Sequence, residues 1–408
     1  MSSEICLHNA TVLTGYSVMK NCAVLIKNYK IIDVFNEARF ASKKFKDDVK
    51  FIDLQGACIA PGFIDTHIHG IEGHGTDDQS PDSILKMSES LTKYGVTSFI
   101  PTLYSAPRDK MIKDIKSITA AMGKEKGAKI LGIHLEGPFI SSERLGVQTP
   151  DSLSPVDLKL MQELWDAAEG KIINMTVAPE LKGMRELSLY CIGKGIVLQA
   201  GHTNATYEQM VEGMQVRILH VTHLFNAMSR MHHRDPNAVG AVFIHPEMSC
   251  EIIADGIHIN PNLIKFLLRC KPIDKLVLVT DSLKPTKQTE HPLMANGEEV
   301  YLDKCFYRKS DDVIAGSALT MSDGVRNLVS FGISLDQAVQ MASTNPANIM
   351  RQEHLGLIAP GYDADLVVLD QNLTPVYTIV KGEFFNFTSQ ACEETTLQGT
   401  IYRHDNSI

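Results

Sequence analysis

Short apolar runs alternate with longer amphipathic stretches through most of the middle of the chain. Eight runs have the length of strands and are nearly continuously apolar, as in parallel strands that are covered on both faces. They are CIAPGFIDTHIH, VTSFIPT, KILGIHLEG, KIINMTVAPE, GIVLQAGH, ILHVTHLF, CEIIADGIHI and KLVLVTDS. Nearly all are separated by enough chain for a crossover helix, and the shortest spacer holds TYEQMVEGMQ. Eight such units in about 250–300 residues predict a (β/α)8 TIM barrel, which we place at residues 57–351.

Two of the amphipathic stretches open with residues that favour the start of a helix. SPDSILKMSESLTKYG opens with Ser80 and Pro81, and SPVDLKLMQELWDAAEG opens with Ser154 and Pro155. Serine is a good N-cap residue, and proline suits the first helical turn because it needs no hydrogen-bonded N–H there. We therefore predict that helices begin at these two positions.

The two ends of the chain show a different pattern. The first 56 residues contain short strand-like runs separated by polar or glycine-containing breaks, which is typical of an antiparallel sheet. The tail repeats this pattern over residues 364–385. We predict that residues 1–56 and 352–408 pair as a small β-sandwich domain beside the barrel, so that the fold class is α/β.

Composition narrows the class of protein. Of the 408 residues, 44% are hydrophobic and 21% are charged, which supplies ample material for a core. The net charge of −9 argues against a nucleic-acid binder, although a few local cations could still hold one phosphate. The N-terminus lacks a signal-peptide pattern and no apolar run reaches 18 residues, so we expect no membrane association. The eight cysteines include no CxxC pair, so we expect reduced thiols in a cytoplasmic protein.

Polar residues gather at the ends of the apolar runs, which is where the active site of such a barrel lies. Six of the eight runs end in or near a histidine, glutamate or aspartate: His67 and His69, Glu136, His202, His223, His258 and Asp281. Each could alone be a hydrogen-bonded rim residue or a helix cap. Together they would be costly to leave unpaired, and such a set suits divalent cations. His134 lies two residues before Glu136, deeper in the barrel, and we expect it to be structural.

These residue types indicate a reaction class. Histidine and carboxylate ligands with an open position let a bound water lose a proton near neutral pH. A carboxylate that is free or weakly ligated can accept that proton and pass it to a leaving amine, and Asp281 is the candidate for this shuttle. We therefore predict metal-assisted hydrolysis of an amide or related C–N bond. The ion could be Zn, Fe, Ni, Co or Mn.

The motifs that carry these residues resemble a known family. The HxH pair, the histidines after strands five and six, and the aspartate after strand eight are similar to the amidohydrolase superfamily. More narrowly, PGFIDTHIHG, HLEGPFIS, APE, AGHTNAT, THLFNAM, ADGIHI, VTDS and AGSALTM resemble its N-acetylglucosamine-6-phosphate deacetylases, in order along the chain. The resemblance implies removal of acetate from N-acetylglucosamine 6-phosphate in amino-sugar catabolism. It further implies attack by metal-bound hydroxide, with Asp281 as the proton shuttle.

The resemblance also implies metal ligands. Glu136, His202 and His223 would bind the main metal, and His67 and His69 would complete a second site with Glu136 as the bridge. One or two ions would therefore bind. Other amidohydrolases bridge their metals with a carboxylated lysine, and the end of the fourth strand has none. This difference counts against dihydroorotase-like or urease-like activity.

The substrate site follows from the same resemblance. Asn226, the backbone of Ala227, and His258 would contact the sugar phosphate of a phosphorylated N-acetyl amino sugar. Arg234 would reach the phosphate from the neighbouring subunit, which implies a homodimer; arginine offers a forked set of donors to phosphate oxygens. Ala315 and Gly316 would line the sugar with their backbone.

Two features depart from the family pattern. Gln148 occupies a position where many members carry a histidine that helps to polarise the substrate carbonyl. Glutamine can donate a hydrogen bond but cannot carry a proton. The stretch after Asp281 is unusually basic, and we interpret Lys284 and Lys287 as solvated rather than substrate-binding residues.

Two alternatives stay open beside the deacetylation of the gluco sugar. The first keeps the fold and metal but changes the substrate, to N-acetylgalactosamine 6-phosphate or to the ring amide or deaminase substrate of another amidohydrolase. The two sugar epimers cannot be separated from the residues, whereas dependence on phosphate would separate sugars from ring amides. The second is a non-catalytic barrel, which the filled ligand positions disfavour.

Overall fold

A closed barrel of parallel strands forms the centre of the computed structural model, which describes residues 4–45 and 49–387. Each strand pairs in parallel with the next one around the barrel. The barrel strands are Phe63–Ile68, Val96–Leu103, Ile133–Glu136 (preceded by Lys129–Ile130), Ile172–Val177, Val197–Ala200, His220–Val221, Ser249–Ile253 and Leu276–Val279. A parallel bridge between Ile68 and Ser282 joins the eighth strand to the first. The prediction of a (β/α)8 barrel is confirmed.

Helices follow the barrel strands along the chain and pack their apolar faces into one large core with them. They are Pro81–Leu91, Arg108–Ala121, Leu158–Ala167, Met184–Gly193, Tyr207–Gln215, Asn237–Ile244, Pro261–Cys270 and Met321–Ser330. Shorter helical segments are Thr92–Tyr94, Pro150–Ser152, Ile273–Lys275, Leu335–Val339, the π-helical Gln340–Thr344, and Asn345–Ile349. Among the described residues, we find no helix with the length and apolar character needed to span a bilayer.

One predicted helix start is confirmed and the other is wrong. The side chain of Ser80 caps the helix that begins at Pro81. The helix predicted from Ser154 begins instead at Leu158, because the carboxylate of Asp157 accepts from two backbone N–H groups of the first turn. A carboxylate is also favoured there by the helix dipole. The Ser154 hydroxyl donates to the carbonyl of Pro155 instead.

The two ends of the chain meet in one eight-stranded sheet beside the barrel. Its strands are Ile5–Leu13, Val18–Lys27, Lys30–Asn36, Lys50–Asp53, Cys58–Pro61, Leu366–Leu369, Pro375–Val380 and Glu383–Asn386, with the helix Glu37–Ser42 between the third and fourth. Side chains from both ends, including Val24 and Val368, share a separate core. The prediction of a small β domain built from both termini is confirmed. Its exact boundaries stay a prediction, and residues 388–408 lie outside the described part.

The apolar run CIAPGFIDTHIH divides between the two sheets. Cys58–Pro61 pairs antiparallel with Leu366–Leu369 in the terminal sheet, whereas the barrel strand begins at Phe63. Gly62 lies at the division, and a Cβ there would come within 2.1 Å of the side chain of Thr97. Only glycine allows this close approach.

A four-stranded antiparallel sheet is inserted between the eighth barrel strand and its helix, and the sequence pattern did not predict it. Its strands are Met294–Ala295, Glu298–Asp303, Cys305–Arg308 and Ile314–Gly316. Val300 and Phe306 pack with Tyr104 and Leu283 in a small core beside the barrel mouth. A short hairpin, Gly70–Ile71 with His74–Gly75, follows the first barrel strand.

Candidate active site

The ends of the barrel strands bring six of the predicted residues into two groups that could each hold a cation. The ligand atoms within each group lie within 4.8 Å of one another, and all six residues are buried. The first group is Glu136, His202 and His223, and the second is His67, His69 and Asp281.

Glu136 lies between the two groups. Its Oε1 is 3.1 Å from Nε2 of both His202 and His223 and 3.4 Å from Nε2 of His67. Its Oε2 is 3.6 Å from Nε2 of His69. One carboxylate therefore contacts four histidines, which is an arrangement that can serve two ions at once.

Hydrogen bonds fix the rings of three of these histidines. Nδ1 of His67 lies 2.9 Å from a carboxylate oxygen of Glu251, and Nδ1 of His69 lies 3.1 Å from the carbonyl oxygen of Thr102. Nδ1 of His202 lies 3.0 Å from the carbonyl oxygen of Arg144. Because these oxygens only accept, each Nδ1 donates and each ring turns its Nε2 toward the centre. Metal-binding histidines in proteins are commonly held in this way.

The buried carboxylates of the cluster are held in their ionised form, which suits a bound cation. Burial would raise the pKa of Glu136, but the charge of His202 and hydrogen bonds from His202 and His223 hold that pKa well below its usual range. Burial also opposes ionisation of Glu251, yet His67 brings the pKa of Glu251 down to about 2. For His67, the effect of burial is outweighed by Glu251 and Glu136, which raise the pKa of the imidazole well above its usual value. These buried carboxylates stay ionised, and the positive charge that they attract can be supplied by divalent metal.

A free ligand atom supports the same conclusion. Nε2 of His67 is buried and has no hydrogen-bond partner in the part of the chain that the structure describes. Buried polar atoms are rarely left unpaired in this way. The mixed histidine and carboxylate donors suit zinc and related first-row ions. The residues present therefore fit a divalent metal.

Asp281 stands beside the second group and faces the cavity. Its Oδ1 is 3.4 Å from Nε2 of His69 and 3.6 Å from Nε2 of His67. Burial raises the pKa of this carboxyl, but contact with His69 and the charge of His67 outweigh that effect and leave the pKa below its usual value. Asp281 is therefore a carboxylate that can accept a proton.

Three of these residues have strained backbones. The φ angles of His202, His223 and Asp281 are 44°, 28° and 50°, in the left-handed region that non-glycine residues rarely adopt. Such strain costs about 1–3 kcal/mol per residue and is concentrated at functional sites in proteins. Surrounding hydrogen bonds maintain it at Asp281, whose N–H donates to the carbonyl of His67.

A cavity of about 270 Å³ opens above the cluster. Asn226, Ala227, His258, Ala315 and Gly316, which were all predicted to bind substrate, lie in its wall. Nδ1 of His258 is tethered to the carboxylate of Asp255 at 2.6 Å.

Two other predicted substrate residues lie elsewhere. Gln148 donates from Nε2 to Oε2 of Glu136 at 2.8 Å and accepts at Oε1 from the backbone of Ser105 at 3.1 Å. It thus holds Glu136 from behind rather than lining the cavity. Arg234 is exposed on a loop outside the cavity wall, with Nη1 3.0 Å from Nε2 of His233.

His134 and two lysines of the basic stretch after Asp281 stay outside the cavity wall. His134 is held between the hydroxyls of Thr102 and Thr176, and burial lowers its pKa to about 3, so it is a neutral structural residue as expected. Lys284 forms an ion pair with Asp78, and Lys287 pairs with Asp323. Neither lysine lies in the cavity wall.

Sequence reasoning missed several residues of the site. Tyr104 stacks on the ring of His69, with centroids 3.8 Å apart and planes 7° from parallel. Glu251 supports His67, and its signal was a lone charge within an otherwise uncharged strand. Gly146, Val147, Val313 and Ile314 also line the cavity. The sequences of their loops contain no pattern that indicates a substrate-binding residue.

Comparison with known proteins places this site in a family. A model of the amidohydrolase family matches residues 58–396. The N-acetylglucosamine-6-phosphate deacetylase of Lysinibacillus sphaericus is 31% identical over 386 residues, with 93% of this chain and 97% of the relative covered. The N-acetylgalactosamine-6-phosphate deacetylase of Escherichia coli O157:H7 is 28% identical, with 83% and 90% covered.

A solved structure agrees with these matches. A variant of N-acetyl-D-glucosamine-6-phosphate deacetylase from Mycobacterium smegmatis, in complex with N-acetyl-D-glucosamine 6-phosphate, superposes with a TM-score of 0.87. It is 28% identical in sequence, and 94% of this chain and 99% of that chain are covered. The predictions of a family resemblance and of a metal-dependent hydrolase are confirmed. The chain belongs to the amidohydrolase family, in the group that contains the N-acetylglucosamine-6-phosphate deacetylases.

Proposed function

We propose that the protein hydrolyses the N-acetyl amide of N-acetylglucosamine 6-phosphate to glucosamine 6-phosphate and acetate. The observation that carries this proposal is the floor of the cavity, where Asp281 and Glu136 lie among four histidine Nε2 atoms. The names of the relatives and the sugar phosphate in the Mycobacterium smegmatis complex support the choice of substrate. We place the reaction in cytoplasmic amino-sugar catabolism.

Two cations have candidate ligands in this chain. Glu136, His202 and His223 would hold the first, and His67, His69 and Asp281 would surround the second. A divalent cation there would polarise the acetyl carbonyl and lower the pKa of a water molecule.

Asp281 is the proposed proton shuttle. Its carboxylate would accept a proton from the attacking water, whose oxygen forms the new bond to the acetyl carbon. The same proton would then pass to the sugar nitrogen as the C–N bond breaks, so that the amine leaves in a neutral form. General acid–base catalysis of this kind contributes about 10²–10⁴-fold to a rate.

The cavity wall would bind the rest of the substrate. Asn226, the backbone of Ala227, and His258 would contact the sugar phosphate, and the backbone of Ala315 and Gly316 would lie against the ring. The tether to Asp255 would fix the ring of His258 toward the ligand. Arg234 would reach the phosphate of the neighbouring subunit in a homodimer, which its exposure in one chain permits.

The test is release of amine by the metal-loaded protein from three sugars: N-acetylglucosamine 6-phosphate, its galacto epimer and the unphosphorylated gluco sugar. We expect rapid release from the gluco phosphosugar alone, and loss of release after chelation. Asp281→Asn should lower kcat by about 10²-fold or more, because it removes the shuttle. Asp109→Asn changes an exposed aspartate and should leave kcat unchanged. Preference for the galacto epimer would replace the named sugar, and no release from any of the three would refute deacetylation.

A further inference from the structure

Glu251 is a buried carboxylate that the proposed reaction does not use. It lies in the seventh barrel strand with no exposed surface, between the apolar residues Cys250 and Ile252. A buried charge is costly unless it is paired and hydrogen-bonded. The groups that pair with Glu251 must therefore account for its burial.

The partners of Glu251 include both candidate cation groups. Its Oε2 accepts from Nδ1 of His67 at 2.9 Å and from the backbone N–H of His223 at 3.2 Å. Its Oε1 accepts from Nε2 of Gln199 at 3.1 Å. One oxygen thus holds the side chain of a ligand in the second group and the backbone of a ligand in the first.

The contact with His67 decides which ring nitrogen is available to a metal. An ionised carboxylate can only accept, so Nδ1 of His67 must donate. In the neutral ring the lone pair then lies on Nε2, which is 3.4 Å from Glu136 and 3.6 Å from Asp281. That atom is buried and has no hydrogen-bond partner among the described residues.

The other two oriented rings are held differently. Nδ1 of His69 and Nδ1 of His202 donate to the backbone carbonyls of Thr102 and Arg144. A substitution of a side chain does not remove those acceptors. His67 depends instead on a side chain from a strand that lies 184 residues further along the chain.

We propose that Glu251 is the positioning residue of the second cation site, which it forms by holding His67 with Nε2 directed between Glu136 and Asp281. This proposal rests on the metal ligands assigned in the proposed function, but not on the identity of the sugar. It requires that the protein bind two divalent cations. It also requires that loss of Glu251 weaken the second cation more than the first.

The experiment is a zinc titration of the metal-free, full-length protein by calorimetry, with the bound zinc counted after equilibrium dialysis. Two zinc ions per chain are expected for the unchanged protein. Glu251→Gln keeps the shape and removes the charge, and should weaken the second zinc by about 10- to 100-fold, as is typical for partners of metal-binding histidines. The first zinc should change less. Asp114→Asn is the matched control, because Asp114 is a buried carboxylate that pairs with Lys110 in a barrel helix. It should leave both zinc affinities unchanged.

A double-mutant cycle separates positioning from a general structural role. His67→Gln removes the ligand itself and should also weaken the second zinc. If Glu251 acts through His67, the double variant should bind zinc as His67→Gln does, because the two substitutions remove one shared interaction. Additive losses would contradict the proposal, as would two tightly bound zinc ions in Glu251→Gln. Glu251→Asp, which keeps the charge but withdraws it from His67, should give the same selective loss and replaces Glu251→Gln if that variant does not fold.

The same titration distinguishes failure of the positioning proposal from failure of the proposed function. A single zinc ion in the unchanged protein overturns the positioning proposal and leaves deacetylation with one metal standing. No bound zinc, together with no bound cobalt or manganese when the titration is repeated with those ions, overturns the metal assignment of the proposed function as well.

Discussion

Gln148→Leu tests whether the buried contact behind Glu136 stabilises the site. Gln148 is 2% exposed and makes two hydrogen bonds, one to the carboxylate of Glu136 and one from the backbone of Ser105. Leucine has similar size but neither polar group. A lost bond to a charged group costs about 1.5–3 kcal/mol, and a buried N–H without its acceptor costs about 1–3 kcal/mol. We therefore expect the free energy of unfolding to fall by about 2.5–6 kcal/mol in the metal-free protein.

The measurement is urea denaturation of the metal-free protein, with the change in free energy taken from the shift of the midpoint at a common slope. Gln162→Leu is the matched control. Gln162 also donates to a carboxylate, that of Asp166, and accepts from the hydroxyl of Tyr190, but the pair with Asp166 is exposed. That exposed contact between residues four apart on a helix should contribute only about 0.2–0.5 kcal/mol. A Gln148→Leu variant that differs from the control by less than about 0.5 kcal/mol would refute the argument.

Three further predictions concern residues of the barrel and of its mouth. Tyr104→Ala should weaken zinc binding roughly 2- to 10-fold, because the stack of Tyr104 on His69 is worth about 0.5–1.5 kcal/mol. Tyr104→Phe keeps the ring and should bind zinc normally. Equal zinc affinities of the two variants in calorimetry would contradict this prediction. Burial raises the pKa of Asp65 from 3.8 to about 7, so its contribution to stability is present below pH 4 and is lost as pH rises through 7. Asp65→Asn should flatten the decline in the urea midpoint of metal-free protein between pH 4 and 8, and an unchanged slope would count against it. Arg308→Met removes the 3.3 Å hydrogen bond to the carbonyl of Val147, which ties the inserted sheet to the cavity loop, and should raise KM more than it lowers kcat in steady-state assays.

Much of the barrel follows from local pattern because its strands are covered on both faces. Runs such as KLVLVTDS have an apolar centre without alternation and end in polar residues, so the position of the barrel mouth was visible without a structure. The same logic placed His67, Glu136 and Asp281 near one another, since parallel strands end at one rim. The sequence pattern could not show which carboxylate oxygen lies against which histidine nitrogen.

The features that were missed have little local signal. In the inserted sheet, the strand Glu298–Asp303 has one buried residue, Val300, and five exposed ones, so it shows almost no hydrophobic alternation. Gln148 was predicted to contact the substrate because it stands where many family members carry a histidine, but its amide turns inward and donates to Glu136. The role of Glu251 depends on a partner in the first barrel strand, and such long-range pairs cannot be read from spacing.

Hydrolysis in water enriched in ¹⁸O would test the proposed reaction most directly. Metal-loaded protein would be mixed with a smaller molar amount of N-acetylglucosamine 6-phosphate, so that each enzyme molecule turns over at most once. The masses of the products would then be measured by mass spectrometry. Attack of water on the acetyl carbon predicts acetate with one ¹⁸O atom and a phosphate group without label. Acetate without label, label in the phosphate group, or a product in which the acetyl group is intact would contradict the proposed reaction.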